Sequence, residues 1–291
     1  MTENKNMDNP RQVLNNYIKG CEVKCDRPLW MTVLLGVMAG AFISFGAAAS
    51  TVAMYGVANT GISRTIAGVV FPIGLMLIVF IGGELFTGNC MMITGVIDKR
   101  YSIIQMLKNL VVVFLSNLAG AIVMALLIAN CGEFGFSENT LGAYVIKIAV
   151  TKVNLPFGMA FISGILCNIL VCAAVLMAAG AKETIGKIWA VFFPIFVFVI
   201  CGFEHCVANM YYLSAGILAS ANSDYVAKAM EVYQLTGKQI ETLSWQNMFA
   251  GNLLPVTLGN IVGGMVFIGL PVYFLNREKN KQAEVQSLSV E

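Results

Sequence analysis

The sequence predicts an all-α integral membrane protein. It should have six transmembrane helices in an inverted three-plus-three repeat, two of them interrupted. Three observations lead there. Of the 291 residues, 58% are apolar and only 12% charged, with a mean hydropathy of +0.77, too much apolar surface for a water-soluble domain of this length to bury. The apolar residues fall into six stretches, each near the ~20 residues that a bilayer requires. Finally, the two halves of the chain carry matching polar motifs in the same order.

The N-terminal segment, 1–29, is polar and lacks the apolar core of a signal peptide; residues 10–27 are expected to form a short amphipathic helix on the membrane surface. The channel domain follows over 30–276. Its spans are expected at 30–55, 66–97, 103–130, 157–180, 188–219 and 246–276, the second and fifth being long and interrupted. A polar tail, 277–291, completes the chain. Lys and Arg set the orientation. Of 18 such residues, 13 fall in the N-terminal segment, the 98–108 and 181–187 turns, and the tail; only Arg64, Lys147, Lys152, Lys228 and Lys238 lie on the other side. The positive-inside rule therefore places both termini in the cytoplasm of a multi-pass protein of the cell membrane.

The net charge of +2 gives no sign of nucleic-acid binding, and eight scattered cysteines with a single histidine show no metal-ligand spacing. No metal, cofactor or structural disulfide is expected.

The repeat is read from two pairs of motifs. GGELFTGN and GFEHCVAN share G-x-E-x4-N, pairing Gly82, Glu84 and Asn89 with Gly202, Glu204 and Asn209. NLVVVFLSNLAG and NLLPVTLGNIVG pair Asn109, Asn117 and Gly120 with Asn252, Asn260 and Gly263. Three spans per half force the halves into opposite orientations, an architecture of transporters and channels that places the pathway at the repeat interface. The interruption of the second span is expected at Thr87-Gly88-Asn89. His205, the only histidine, occupies the corresponding region of the fifth. Ionisable groups at that depth mark a route. Glu84 and Glu204 are expected to hold the breaks in shape by accepting from exposed backbone N–H groups, because a carboxylate facing the route would repel an anion. Gly36 and Gly40 have the spacing of close helix packing.

Several motifs resemble the formate/nitrite transporter family: GGELFTGN at 82–89, the Lys152 segment TKVNLPF, GILCNILVC at 164–172, GFEHCVANM at 202–210 and PVTLGNIVGG at 255–264. They fall in family order over about 25–280. The resemblance implies an aquaporin-like protomer in a homopentamer, with one pore per protomer. It further implies that Thr87 and His205 face each other at the pore centre, that Lys152 attracts anions in the external vestibule, and that Asn168 and Asn260 line the pore. Phe71, Leu75, Leu85 and Phe198 would build two apolar constrictions. The implied substrates are small monovalent anions of weak acids, formate first, then nitrite, hydrosulfide, acetate and lactate, with protons. His205 could lend a proton or polarise one through water. A neutral-solute pore is disfavoured, since paired Asn-Pro-Ala motifs are lacking. A membrane enzyme is disfavoured too, because adjacent His205 and Cys206 diverge on a helix.

Overall fold

A computed structural model describes residues 7–277. The tail expected at 277–291 lies outside the described residues except for Arg277, as do the first six residues of the N-terminal segment. The described chain is helical apart from one isolated bridge, Met7 to Ala181.

Helix α1 (Pro10–Asp26) begins at a capping box of Asn9 and Gln12, with Pro10 in the first turn where its missing N–H costs nothing. It buries Val13, Leu14, Ile18 and Cys21 and is tied down at both ends. The Asp8 N–H donates to the Gly180 carbonyl at 2.9 Å, and Lys182 pairs with Asp8 at 3.0 Å. At the other end Lys24 and Arg27 reach the buried Glu84.

Span one is α2 (Leu29–Met54). Span two is built from α3 (Thr60–Val70) and α4 (Ile73–Ile81), a break, then α5 (Phe86–Asn89) and α6 (Ile93–Ile97) joined by a 3₁₀ turn. It begins at Thr60 rather than 66, because Asn59 accepts from the Ile62 N–H and fixes the helix start. Span three is α7 (Ile103–Asn130). A fourteen-residue helix, α8 (Thr140–Val153), then lies between the halves; too short to span, it was not visible in the hydropathy. Span four is α9 (Phe157–Gly180). Span five is α10 (Thr184–Cys201), a break, and α11 (Cys206–Ser220). Short helices α12 (Ser223–Tyr233) and α13 (Gly237–Ile240) lead to span six, Trp245–Asn276. That span comprises α14 (Trp245–Asn247), α15 (Leu254–Val262) and α16 (Leu270–Asn276), linked by π-helical turns at Met248–Leu253 and Gly263–Gly269.

The position of the second-span break corrects the sequence reading. Helix α4 stops at Ile81, and Gly82 takes φ 105°, a conformation that other residues rarely adopt. Thr87-Gly88-Asn89 lies beyond it, in the first turn of the restarted helix. Gly202, at φ 71°, breaks the fifth span in the same way. The glycine that opens the shared motif makes each break, and Gly88 has no part in it.

Each half is clamped by one close helix pair, α2 against α7 and α9 against α15. A Cβ at Gly40 would collide with the Asn117 carbonyl, and one at Gly259 with the Phe161 carbonyl. With no hydrophobic drive between helices in lipid, this backbone proximity supplies the packing. Gly40→Val is expected to abolish the monodisperse peak in detergent size-exclusion chromatography. Gly20→Ala, on α1 with open space around it, should keep that peak and raise the melting temperature slightly, since alanine is favoured in a helix by about 0.5–1 kcal/mol.

Candidate functional site

The two breaks leave peptide groups without helical partners, and two asparagines take them up. Asn117 accepts from the Phe86 N–H at 3.0 Å and donates to the carbonyls of Glu84 and Gly36, both at 2.8 Å. Asn260 repeats this in the second half. It accepts from the Cys206 N–H at 2.9 Å and donates to the Glu204 carbonyl at 3.0 Å and the Gly164 carbonyl at 2.7 Å. Asn260, expected to line the pore, thus spends its amide on backbone and is fully buried. Asn168 is also fully buried; its amide nitrogen donates to the carbonyls of Thr87 and Asn260 at 3.1 and 2.6 Å.

The carboxylates do something other than expected. Among the described residues neither Glu84 nor Glu204 accepts from a backbone N–H. Glu84 accepts from Arg27 and from Asn89 at 2.8 Å, and lies 3.0 Å from the Lys24 ammonium. Glu204 accepts from Lys152 at 2.8 Å and from Asn209 at 2.5 Å. The reason is that the asparagines already satisfy the backbone, so each carboxylate is free for a cation arriving from the helix that precedes its half. Asn89 and Asn209 each pass a second hydrogen bond, 2.8 Å long, to Asn109 and Asn252. The result is a Lys-Glu-Asn-Asn chain in each half. The two chains differ in two respects: Glu84 has a second cation in Arg27, and Lys24 donates to the Asn89 side-chain oxygen at 2.6 Å, whereas the Asn209 oxygen has no partner among the described residues.

Lys24, Arg27, Asn109, Asn117 and Asn252 were missed as site residues. The repeat alignment had paired the asparagines without assigning them work. A further signal was present in Lys24-x3-Pro28 and Lys152-x3-Pro156, which makes α1 and α8 equivalent helices.

The centre of the molecule is where the repeat fails to match. Aligned on the shared motif, His205 stands opposite Leu85 and Thr87 opposite Val207. His205 is the N-cap of α11, its Nδ1 accepting from the Ala208 N–H at 3.1 Å. Nδ1 therefore carries no proton, the neutral ring is the Nε2–H tautomer, and Nε2 donates to Thr87 Oγ1 at 2.9 Å. This leaves the Thr87 hydroxyl proton available. A doubly protonated ring would turn a second N–H onto the Ala208 N–H and break the cap.

Above this pair lies a cavity of about 700 Å³, on the side opposite α1. His205, Phe71 and Phe198 form its floor, and Lys152, Glu204 and Asn209 also line it. The Phe71 and Phe198 rings meet edge-on at 5.4 Å, and Phe198 stacks over the His205 ring at 6.0 Å. Leu75 and Leu85 are buried in the same apolar cluster but do not line the cavity. On the other side the Tyr17 hydroxyl donates to the Gly88 carbonyl at 2.9 Å, bringing α1 to the turn that holds Thr87.

Removing an asparagine brace should leave a break unsatisfied. Asn117→Ala strands the Phe86 N–H and Glu84 carbonyl, at about 1–3 kcal/mol each, and a clear fall in melting temperature is expected in detergent. Asn130→Ala, which removes only an exposed bond to the Leu126 carbonyl, should leave it unchanged.

Comparison with known proteins places these features in a wider set. The family model described as formate/nitrite transporter matches residues 11–274. A protein named probable formate transporter from Methanothermobacter thermautotrophicus is 37% identical, over 85% of this chain and 89% of its own. The formate channel FocA of Haemophilus influenzae is 32% identical over 87% and 89%. Among solved structures, one titled pentameric formate channel with formate bound superposes with a TM-score of 0.75 at 32% identity, over 85% of this chain and 97% of the other. An FNT family ion channel gives 0.72 at 28%, over 92% and 98%.

Proposed function

Since the chain belongs to the formate/nitrite transporter family, we propose that it is a non-enzymic membrane channel for small monovalent anions of weak acids, formate first, carried across with a proton. It works as a homopentamer with one pathway per protomer and both termini in the cytoplasm. Nitrite, hydrosulfide, acetate and lactate share the same chemistry and are the alternatives.

The observation that carries this reading is the Thr87–His205 hydrogen bond beneath a phenylalanine floor. A bare anion pays many kcal/mol to leave water for such surroundings, whereas its neutral acid crosses far more cheaply. The cavity offers what a protonating anion needs. Lys152, though paired with Glu204, keeps ammonium protons to donate to a carboxylate oxygen. The Asn209 amide, bonded to Glu204 and Asn252, holds the Glu204 carboxylate in place behind that lysine. Below the phenylalanines, the Thr87 hydroxyl donates a hydrogen bond to the passing carbonyl, oriented by the Nε2–H of His205. Of the two roles open to the histidine, the capped Nδ1 supports holding a hydrogen bond rather than releasing a proton. The proton travels with the acid.

A competition flux assay in liposomes across the five anions, at two pH values, tests the substrate. Formate should be the fastest, and failure of all five to pass would sink the reading. His205→Asn tests the centre. Asparagine preserves the N-cap but is too short to keep the bond to Thr87, so formate flux should fall about 10²-fold, as on loss of one oriented donor. The shape of the pH profile should persist, because the titrating group is the acid. A flattened profile would mean that the ring itself titrates.

A further inference from the structure

The cavity above His205 carries four ionised side chains, Arg64, Lys147, Lys152 and Glu204. Lys152 and Glu204 are in contact at 2.8 Å, so at any distance beyond a few ångströms their charges cancel. The charge that an approaching ion meets is that of the other two. Arg64 donates to the Ile200 carbonyl at 3.2 Å, and among the described residues it pairs with no carboxylate. Lys147 holds its ammonium 5.4 Å and 4.8 Å from the ring centres of Tyr144 and Tyr233. It too has no carboxylate partner among the described residues. Aromatic faces steady a cation without neutralising it. Hydroxyls of Thr60 and Thr140 line the same cavity and can donate to an anion, whereas those of Ser63 and Thr151 donate to the Met54 and Lys147 carbonyls. Apart from the cavity-lining Lys147 and Lys152, the 131–156 and 219–245 segments carry Glu133, Glu138, Asp224, Glu231 and Glu241 against Lys228 and Lys238. The surrounding face is therefore net negative, and positive charge is concentrated in the concavity, where apolar walls focus its field.

We propose that Arg64 and Lys147 form the anion-collecting site of this vestibule, for small monocarboxylates, and that Lys152 acts only after collection, as a hydrogen-bond donor at the cavity base. The choice of carboxylate rests on the function proposed above; the electrostatic site does not.

The test reads local potential without transport. Thr151→Cys places a thiol in the cavity, in a background where the exposed Cys131 and Cys201 are replaced by serine. Its rates with an anionic and a cationic methanethiosulfonate reagent are compared. Taken at a working distance of roughly 8 Å in water, two unit charges change each rate about fivefold, in opposite senses. Arg64→Gln/Lys147→Gln should therefore lower the anionic-to-cationic ratio about 25-fold. Arg64→Lys/Lys147→Arg should retain it, which separates charge from misfolding. The neutral exchange Lys152→Met/Glu204→Gln should leave it within about twofold, since those charges cancel. In liposomes at low salt, the double glutamine variant should raise the KM for formate about fivefold with the maximal rate unchanged. An unchanged reagent ratio in the glutamine variant, or a large change in the Lys152→Met/Glu204→Gln variant, overturns the proposal. If the ratio falls as expected while the wild type passes no formate, the collecting site stands and the formate reading fails.

Discussion

A helix broken at membrane depth exposes peptide groups where lipid offers them no hydrogen bond, and the rest of this structure depends on how that demand is met. Asn117 and Asn260 meet it, each from a neighbouring span, each with one acceptor and one donor. Their reach requires the helices to lie almost in backbone contact, which is why glycines stand where α2 meets α7 and where α9 meets α15. Because the backbone is satisfied by neutral amides, the carboxylates beside it are left to hold a lysine in each half. One constraint thus accounts for the close packing, the asparagines and the buried ion pairs.

The duplicated scaffold is nearly the same in both halves, and the chemistry sits where the halves disagree. A leucine in one half is the histidine of the other; a valine is the threonine. Asn168 stands where the first half has Gly40, and its amide braces the Thr87 carbonyl. A symmetric protein could build two braced breaks but would have no single centre. Substituting three positions in opposite halves gives one donor pair, aimed from one side, beneath one cavity. The unmatched Asn209 oxygen adds a fourth difference, on the cavity side alone.

Much of this was legible in the sequence. The spans came from hydropathy because lipid imposes a length, and the repeat came from polar residues that lipid makes costly. The lone histidine and the break motif marked the two central positions, but that Thr87 and His205 face each other followed only from the family resemblance. What was misread has a common cause. Gly88 was given the break that belongs to Gly82, because a local run of polar residues is visible in sequence and a backbone angle is not. Glu84 and Glu204 were assigned to backbone N–H groups that Asn117 and Asn260 had already taken. That competition is settled only when helices 33 and 56 residues apart are brought together. Helix α8 escaped notice because it buries residues around most of its circumference without being long enough to span.

The asparagine braces also bear on how the chain is made. Each stands downstream of the break it closes, Asn117 33 residues after Glu84 and Asn260 56 residues after Glu204. A ribosome therefore delivers every broken helix to the membrane before its brace exists. The first half can close as soon as its third span arrives. The second must wait, with the Glu204 carbonyl and the Cys206 N–H unclaimed, until the span that carries Asn260 is inserted. Biogenesis of this protein thus has a late, exposed stage, and it falls on the half that carries the histidine.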